Sequence, residues 1–312
     1  MSESPSQPPA TNETRRDDAA DRHPSPVSWR DYNWIQLPVF LLMHVGCCAV
    51  LFVGWSPYAV ATGAVLYLLQ TFGVTAFYHR YFAHRAFRTS RAVQLIGAVL
   101  GNASMQRSPL WWAACHRRHH RHSDEAGDLH SPSVQGFVHS HMLWFMVRKN
   151  FDRDEIPEFD KYAELRFLDR HPFFVPISLA IGIAAAGVAL HSWRPELGVT
   201  GPQMLIVGFL IPTILMNHVT YCVNSLGHLV GARRFKTSDR SRNNGLLAVF
   251  TFGEGWHNNH HRYPSSARQG FYWWQVDATY YLLCLLSLLR IVRDLKPVPA
   301  DVLAEGRGGP AS

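Results

Sequence analysis

Nine histidines in four short clusters are the residues of this 312-residue chain best suited to chemistry. Imidazole nitrogens bind iron, copper, nickel and zinc, and so many of them are rarely gathered for packing alone. Nine ligands exceed what one ion takes and suit two ions with four or five ligands each. We therefore predict a two-metal site formed by His79, His84, His116, His119, His120, His228, His257, His260 and His261.

Two of the clusters have the spacing of ligands on a helix. Residues at i, i+3 and i+4 share one helix face. His116, His119 and His120 follow that rule, and so do the three histidines of the HNNHH segment at 257–261. The sequence therefore predicts two helices that each present a face of three imidazoles.

The other two clusters are less regular. His79 and His84 are five positions apart, roughly 140° around an ideal helix. We expect them either to serve different metals or to straddle a helix end. Asn224 stands four residues before His228, on the same helix face, where it would reach a metal directly or through a water.

The ligand types narrow the choice of metal. Structural zinc usually takes four ligands, often with cysteine among them. A set of nine imidazoles without CxxC spacing is unusual for that role. We therefore favour a redox pair of iron ions (Fe2+/Fe3+), with structural zinc and copper as the alternatives.

The elements that must position these ligands are apolar helices. A membrane span needs about 20 apolar residues, and four segments satisfy this: 37–55, 57–77, 173–193 and 199–223. Short connections pair them as two hairpins. The apolar stretch at 93–105 is too short to span and predicts a surface-lying or re-entrant helix. The stretch at 273–292 is interrupted by charges and predicts an amphipathic helix on the membrane or against the rest of the protein. No β pattern is visible.

This topology places all four clusters on one side of the membrane, because a single hairpin separates the first two clusters from the last two. Lys and Arg are concentrated between the second and third apolar segments, which the positive-inside rule assigns to the cytoplasm. We expect a multi-pass protein of the cell inner membrane, with its metal site and both termini on the cytoplasmic side.

Composition bounds the remaining possibilities. The formal net charge is +7, but the basic residues lie between apolar segments, so nucleic-acid binding is not expected. Residues 1–28 are rich in Ser, Pro, Asp and Arg and predict a disordered tail. Residues 296–312 predict a second, short tail, which leaves one domain at 29–295. Five cysteines without CxxC spacing predict reduced thiols.

The clusters also carry a family resemblance. HRYFAH, HRRHH, NSLGH and GEGWHNNHH occur here in the order typical of the membrane-bound fatty acid desaturases. The chain resembles the stearoyl-CoA Δ9-desaturase-like branch over residues 34–292, and its GDLHSP stretch is similar to bacterial members. The resemblance implies an all-α integral membrane protein with four transmembrane helices and a cytoplasmic helical cap holding a di-iron site.

The activity implied by the resemblance is O2-dependent desaturation of a long saturated acyl chain, with a cis double bond at Δ9. The nine histidines would bind both irons, and Asn224 would act through a water. The chain shows no GxGxxG unit and no haem or iron–sulfur pattern. We therefore expect an external electron donor, a ferredoxin or cytochrome b5 with its reductase.

The acyl carrier is ambiguous. Relatives that use acyl-CoA carry an Arg-Asp pair where this chain has Ala114 and Cys115, although Arg148 and Lys149 match a basic pair that contacts CoA in the family. The carrier would be CoA, which is modestly favoured, or a membrane lipid, with an acyl-carrier-protein thioester as a further possibility. Two more candidates for substrate contact are Trp256 and Thr220.

Two other functions remain open. A hydroxylase could use the same scaffold, since both reactions begin with removal of hydrogen, although hydroxylase relatives space their histidines differently. A non-catalytic membrane metal-binding or transport protein is the second alternative. Transporters place polar ligands near the bilayer midplane, whereas these histidines lie at the ends of apolar segments.

Overall fold

The computed structural model describes residues 27–308, so the disordered tail predicted at 1–28 lies almost wholly outside the described residues. The described part is mostly helical, as predicted. Four helices are long and apolar enough to cross a membrane, which confirms the predicted number. They are span 1 (Gln36–Val53), span 2 (Pro57–Ala83), span 3 (Phe174–Trp193) and span 4 (Gly201–Leu229).

The elements follow one another in a simple order. The α-helices are α1 Gln36–Cys47, α2 Val50–Val53, α3 Pro57–Phe72, α4 Arg91–Asn102, α5 Pro109–His122, α6 Pro132–Gln135, α7 Pro157–Asp160, α8 Ala163–Arg170, α9 Phe174–Trp193, α10 Gly201–Gln203, α11 Ile211–Leu229, α12 Gly245–Phe250, α13 His257–Arg262, α14 Ala278–Leu288 and α15 Ala300–Arg307. The π-helical segments are Gly73–Ala83, His139–Leu143 and Met204–Leu210, and the 3-10 turns are Trp29–Asp31, Trp144–Met146, Arg148–Asn150 and Pro195–Leu197.

The four spans divide into an inner and an outer pair. About half of the most apolar part of spans 2 and 4 is buried in the protein (50% and 56%), against 0% and 11% for spans 1 and 3. Spans 2 and 4 also extend six residues past the predicted ends, at Ala83 and Leu229. Their helices therefore carry His79 and His228 out of the apolar region, so the inner pair positions the site.

Local sequence explains where the site helices begin. Ser56 caps span 2 by accepting a hydrogen bond from the Ala59 amide, with proline in the first turn. Ser108 caps α5 in the same way, accepting from the Trp111 amide. A serine cap followed by proline satisfies an orphan N–H and pre-sets the backbone of the first turn. The histidines of α5 consequently lie in its last two turns.

The end of span 2 is held closely by α4, the helix formed by part of the apolar stretch at 93–105. Gly97 faces the ring of Phe77, and Gly101 faces the ring of Tyr78, with no room for a β-carbon at either position. Small residues allow helices to approach this closely. The short helix therefore packs against span 2 and supports the segment that carries His79.

The structure departs from two expectations in the C-terminal region. Residues 88–89 and 292–293 form a two-residue antiparallel β-pairing, although the sequence shows no β pattern. The predicted tail from residue 296 contains α15, whose Val302 is only 3% exposed and packs with Phe235. One buried apolar residue per turn is too weak a periodic signal to predict such a short helix. α14, within the stretch at 273–292, is too short to span and buries Leu283 in the core.

Candidate metal centre

The structure brings all nine predicted histidines together in two adjacent groups. The five-histidine group consists of His79, His84, His116, His120 and His260, and the four-histidine group consists of His119, His228, His257 and His261. Within each group the ligand nitrogens all lie within 4.8 Å of one another. The rings of His120 and His261, one from each group, are stacked with centroids 4.4 Å apart.

In the five-histidine group the Nε2 atoms converge on one point. His260 Nε2 lies 3.0 Å from His79 Nε2 and 2.8 Å from His120 Nε2. His116 Nε2 lies 2.8 Å from His84 Nε2 and 3.0 Å from His120 Nε2. An imidazole nitrogen binds a metal at about 2.0–2.1 Å, so two ligands at right angles are roughly 3.0 Å apart. The observed spacing fits five nitrogens around a single ion.

The pairing of His79 with His84 depends on the winding of the helix. The end of span 2 is π-helical, and the His84 amide donates to the His79 carbonyl, five residues back, at 3.2 Å. In a π-helix the amide of residue i+5 donates to the carbonyl of residue i, so two such residues lie on the same side of the helix, about one turn apart. The two imidazoles therefore reach the same group, with His84 just past the helix end, and do not divide between the two groups.

Each of the two HxxHH helices contributes to both groups. α5 directs His116 and His120 into the five-histidine group and His119 into the four-histidine group. In the same way α13 directs His260 into the five-histidine group and His257 and His261 into the four-histidine group. Successive residues on a helix point about 100° apart, so neighbouring histidines separate towards the two groups. The predicted face of three imidazoles is thus divided between two sites.

The four-histidine group contains nitrogens that lack any protein partner. His119 Nε2 and His261 Nε2 are buried and make no hydrogen bond within residues 27–308, while His228 Nε2 lies 3.0 Å from His257 Nε2. A buried polar atom without a partner is costly. A metal ion would satisfy these nitrogens, so the residues present fit one in each group. Asn224 borders the same space, beside His119 and His257.

Three aspartates orient the imidazoles of the four-histidine group. Nδ1–H of His119 donates to Asp128 at 2.9 Å, that of His228 to Asp124 at 2.8 Å, and that of His261 to Asp239 at 2.6 Å. A carboxylate on Nδ1 fixes the tautomer that leaves Nε2 free for a metal and makes the ring a stronger ligand.

A fourth carboxylate connects the five-histidine group to a buried ion network. Glu254 accepts a hydrogen bond from Nδ1 of His79. Its other oxygen lies 3.2 Å from the guanidinium of Arg80, which also pairs with Asp277 at 2.9 Å. Arg80 is only 1% exposed and Asp277 is fully buried. This network fixes the ring of His79 and ties the end of span 2 to the segment before α14.

The protonation states suit metal binding. Burial lowers the pKa of five imidazoles well below its ordinary value, and neighbouring imidazoles lower it further; these are His84, His116, His120, His257 and His260. Burial raises the pKa of Asp124, but its hydrogen bond from His228 lowers that pKa to about 2. Neutral rings beside ionised carboxylates are the forms that a metal requires.

These four carboxylates were missed from sequence alone. Two of them stand inside stretches already noted for family resemblance, Asp128 in GDLHSP and Glu254 in GEGWHNNHH. An acidic residue beside ligand histidines is the available signal, because metal-bound imidazoles commonly donate to a carboxylate. Asp124 carries the same signal, since it stands four residues after His120, but only the fold brings it to His228, and Asp239 carries none.

Three other histidines form a hydrogen-bonded chain outside both groups. His44 Nε2 lies 2.7 Å from His218 Nε2, and His218 Nδ1 lies 3.0 Å from His141 Nε2. His44 Nδ1 contacts the Phe40 carbonyl at 2.6 Å. These rings tie span 1 to span 4 and satisfy one another's polar atoms, which is a packing role.

An apolar cavity runs from both histidine groups into the space between spans 2 and 4. We call it the inner cavity. It is lined by Thr71, Val74, Thr75, His79, Trp112, His116, His119, Met216, Val219, Thr220, Val223, Asn224, Thr251, Glu254 and His257. The ring of Trp112 also stacks on His116, with centroids 4.9 Å apart. The cavity would bring an apolar chain against the ligands.

Of the four residues predicted to contact substrate, one lines the inner cavity and three do not. Thr220 lines the inner cavity. Trp256 lies outside its lining, and its indole N–H donates to the Val276 carbonyl at 2.7 Å. The prediction that Trp256 contacts the acyl chain is therefore not supported by this geometry, because the indole is held against the chain before α14. Arg148 and Lys149 are exposed and away from this cavity.

Comparison with known proteins identifies the family to which this chain belongs. The sequence profile described as fatty acid desaturase matches residues 53–283, which include every predicted ligand. The chain belongs to the fatty acid desaturase family. The match begins at the last residue of span 1 and ends within α14, so it covers spans 2, 3 and 4 completely.

Individual desaturases are similar along most of their length. Delta-9 acyl-lipid desaturase 1 of Arabidopsis thaliana is 33% identical over 86% of this chain and 85% of its own. An acyl-CoA C20 Delta5-desaturase of Anemone leveillei is 32% identical over 86% and 85%. The sn-1 stearoyl-lipid 9-desaturase of Anabaena variabilis is 33% identical over 85% and 94%. Relatives named for either carrier, and for two double-bond positions, are thus about equally similar.

Proposed function

We propose that this desaturase introduces a cis double bond at the Δ9 position of a long saturated acyl chain, using O2 and two iron ions. The observation that supports this most directly is the pair of histidine groups at the end of the inner cavity. Nine imidazoles supply the ligands for two ions, and the apolar lining brings a methylene chain beside them. Regioselectivity would follow from how far the chain extends along the cavity.

The residues of this chain bind, orient and exclude water. Five nitrogens would hold one iron, and four nitrogens together with Asn224, through a water, would hold the other. Bound iron would supply the oxidation of an unactivated methylene, which redox-inert zinc cannot perform. Met216, Val219 and Val223 line the span 4 side of the cavity with apolar surface, so that the acyl chain lies in a dry environment.

We also propose two transmembrane hairpins, spans 1–2 and spans 3–4, with the histidine groups on the cytoplasmic side of the inner membrane. Residues 84–173, on the histidine side, contain 13 Lys and Arg residues. The connections on the other side, 54–56 and 194–200, contain one. Positively charged short connections are retained in the cytoplasm.

Expression in a host that lacks its own Δ9-desaturase tests the function. We expect a new Δ9 monoene in the fatty-acid profile, located by mass spectrometry, and iron bound to the purified protein. A monoene at another position would contradict the Δ9 assignment alone. A hydroxylated acid would identify a hydroxylase, and binding of one exchangeable ion without any product would identify a metal-binding protein.

We further propose that the external electron donor binds a groove beside the five-histidine group. This basic groove is lined by Tyr81, His84, Arg85, Phe87, Arg88, Thr89, Gln94, Glu158, Phe159, Lys161, Tyr162, Arg293, Asp294 and Lys296. Five of these side chains are basic and two are acidic, and His84 brings a metal ligand to the surface of the groove. An acidic donor protein would be attracted there and would approach the ligand shell directly.

Reversing charge in the basic groove is expected to slow electron delivery. The double variant Lys161→Glu/Arg293→Glu should lower the rate of reduction by an acidic [2Fe–2S] ferredoxin about tenfold or more, because steering attraction is lost. Reduction by dithionite should be unchanged. The matched control is Lys236→Glu/Arg307→Glu, an equal charge change at exposed sites. Equal slowing in both variants would contradict docking at the groove.

A further inference from the structure

A second cavity lies beside the inner cavity at the level where spans 1 and 3 begin. This outer cavity, about 250 Å³, is bounded by Ile35, Phe40, Phe173 and Tyr221, among others. Two of its bounding residues reach the surface: Ile35 is 80% exposed and Phe173 is 43% exposed. They immediately precede span 1 and span 3, respectively. The cavity therefore opens sideways, between two outer spans, at the boundary of the bilayer on the histidine side.

Of the residues that the structure describes, Arg107 is the one charged residue that lines the outer cavity. Its guanidinium lies over the rings of Trp111, at 4.9 Å, and Phe151, at 4.3 Å. Among residues 27–308 it has no salt bridge and donates no side-chain hydrogen bond. Asp169, an acid near it, is already engaged by Ser108 and by Arg153. A guanidinium stays charged at neutral pH and has five donors to place.

The backbone holds Arg107 in an unusual conformation. Its φ is +62°, in the left-handed region that residues other than glycine rarely adopt. The carbonyl is fixed by hydrogen bonds at 2.8 Å from the Tyr78 hydroxyl and 2.8 Å from the Asn102 amide. Strained residues that the surroundings hold in place cluster at ligand-binding sites. The structure thus holds a cation in an apolar cavity where, among the described residues, aromatic rings contact it and no carboxylate pairs with it.

A short pocket lies between the outer cavity and the histidine groups. It is lined by Gln106 and Tyr221, which also border the outer cavity, and by His116 and Asn224, which border the inner cavity. Trp112 lines all three spaces. The three spaces therefore adjoin one another in a row from Arg107, past the five-histidine group, to the space between spans 2 and 4.

We propose that Arg107 binds the phosphate of a membrane glycerophospholipid, whose acyl chain enters sideways between spans 1 and 3 and extends past His116 into the inner cavity. This inference rests on the proposed function and names its carrier. A phosphate at the bilayer boundary would meet a cation that has no salt-bridge or hydrogen-bond partner among residues 27–308, and charge-assisted contacts to phosphate are strong. The distance from Arg107 to the ligands would set which methylene is presented.

The basic pair noted in the sequence does not serve this route. Arg148 and Lys149 are exposed and lie outside the outer cavity, and Nε of Arg148 donates to the Tyr32 carbonyl at 3.4 Å. They are placed to meet a water-soluble carrier such as CoA at the surface. Substitutions at Arg107 and at the exposed basic pair should therefore affect different carriers, a membrane lipid in the first case and an acyl-CoA in the second.

The test measures binding, without turnover, on the purified full chain. Distearoyl phosphatidylglycerol, the neutral monogalactosyl diacylglycerol with the same chains, and stearoyl-CoA are titrated against Arg107→Gln and against Arg148→Gln/Lys149→Gln. We expect Arg107→Gln to weaken phosphatidylglycerol binding about tenfold, through loss of a charge-assisted contact. Galactolipid binding should be unchanged, and the double variant should bind phosphatidylglycerol normally.

Other results would overturn the proposal. Unchanged phosphatidylglycerol binding by Arg107→Gln would exclude Arg107 as the anchor. If Arg107→Gln weakened galactolipid binding equally, the substitution would have damaged the cavity rather than removed a phosphate contact. In that case Arg107→Lys, which keeps the charge, would also fail to restore phosphatidylglycerol binding. Weakening of stearoyl-CoA binding alone would assign Arg107 to an acyl-CoA. The binding test does not measure turnover. If the protein binds phospholipid as expected but forms no double bond in the expression experiment, only the proposed function is refuted.

Discussion

Replacing His260 with alanine is expected to reduce double-bond formation at least about 10³-fold, since a metal centre supplies several kcal/mol of the barrier reduction. His260 is 1% exposed, and its Nε2 stands between those of His79 and His120, at 3.0 and 2.8 Å. Alanine would leave the five-histidine group with four nitrogens and an open position. We expect the iron content of the purified protein to fall from about two ions per chain towards one.

His122→Ala is the matched control, because His122 lies on α5 beside the ligands but belongs to neither group. It should retain both iron and product formation. Product is read from the fatty-acid profile, iron from metal analysis, and folding from the thermal unfolding of the detergent-solubilised protein. Normal iron content and activity in His260→Ala would remove this residue from the ligand set. Loss of iron and unfolding in both variants would indicate general damage to the fold.

Replacing Arg80 with methionine is expected to destabilise the protein by about 3–5 kcal/mol, the usual cost of removing one partner from a buried ion pair. The guanidinium compensates two buried carboxylates, those of Glu254 and Asp277, and also donates to the Ala267 carbonyl at 2.8 Å. Methionine fills much of the volume but leaves both charges uncompensated. Asp277 additionally caps α14 by accepting from the Tyr280 amide at 2.9 Å, so the effect should extend to that helix.

The measurement is the free energy of unfolding in mixed detergent micelles, titrated with a denaturing detergent. Arg91→Met is the comparison, because Arg91 forms a bidentate pair with Glu164 at 2.7 Å on the surface. Water screens that pair, so its loss should change stability very little. A similar, small change in both variants would show that the Arg80 network contributes little to folding. Arg80→Met should also reduce iron content, because Glu254 would no longer be held against His79.

The ligand chemistry and the number of spans could be predicted from the sequence because both are local properties. A histidine binds metal wherever the fold places it, and the spacing of His116, His119 and His120 specifies a helix face without reference to other segments. The length of an apolar run compares directly with the thickness of a bilayer. The four helices able to span a membrane and the family membership follow from these local features.

The pairing of His79 with His84 could not be predicted in the same way. Ideal α-helical geometry places them far apart around the axis, and only the π-helical end of span 2 brings both into one group. That winding is supported by tertiary contacts, including the close packing of α4 at Gly97 and Gly101. The aspartate that orients His228 is likewise distant in sequence, since Asp124 lies 104 residues from it.

The sequence by itself determined that this protein gathers nine imidazoles at the ends of apolar spans, as the fatty acid desaturases do. Only the tertiary structure decided how the nine rings divide into groups of five and four, which carboxylates hold them, and where Arg107 faces an apolar cavity. The physical reason is that ligand type and hydropathy belong to single residues and short segments. Coordination, hydrogen bonding and cavity shape instead depend on atoms that packing brings together from distant parts of the chain.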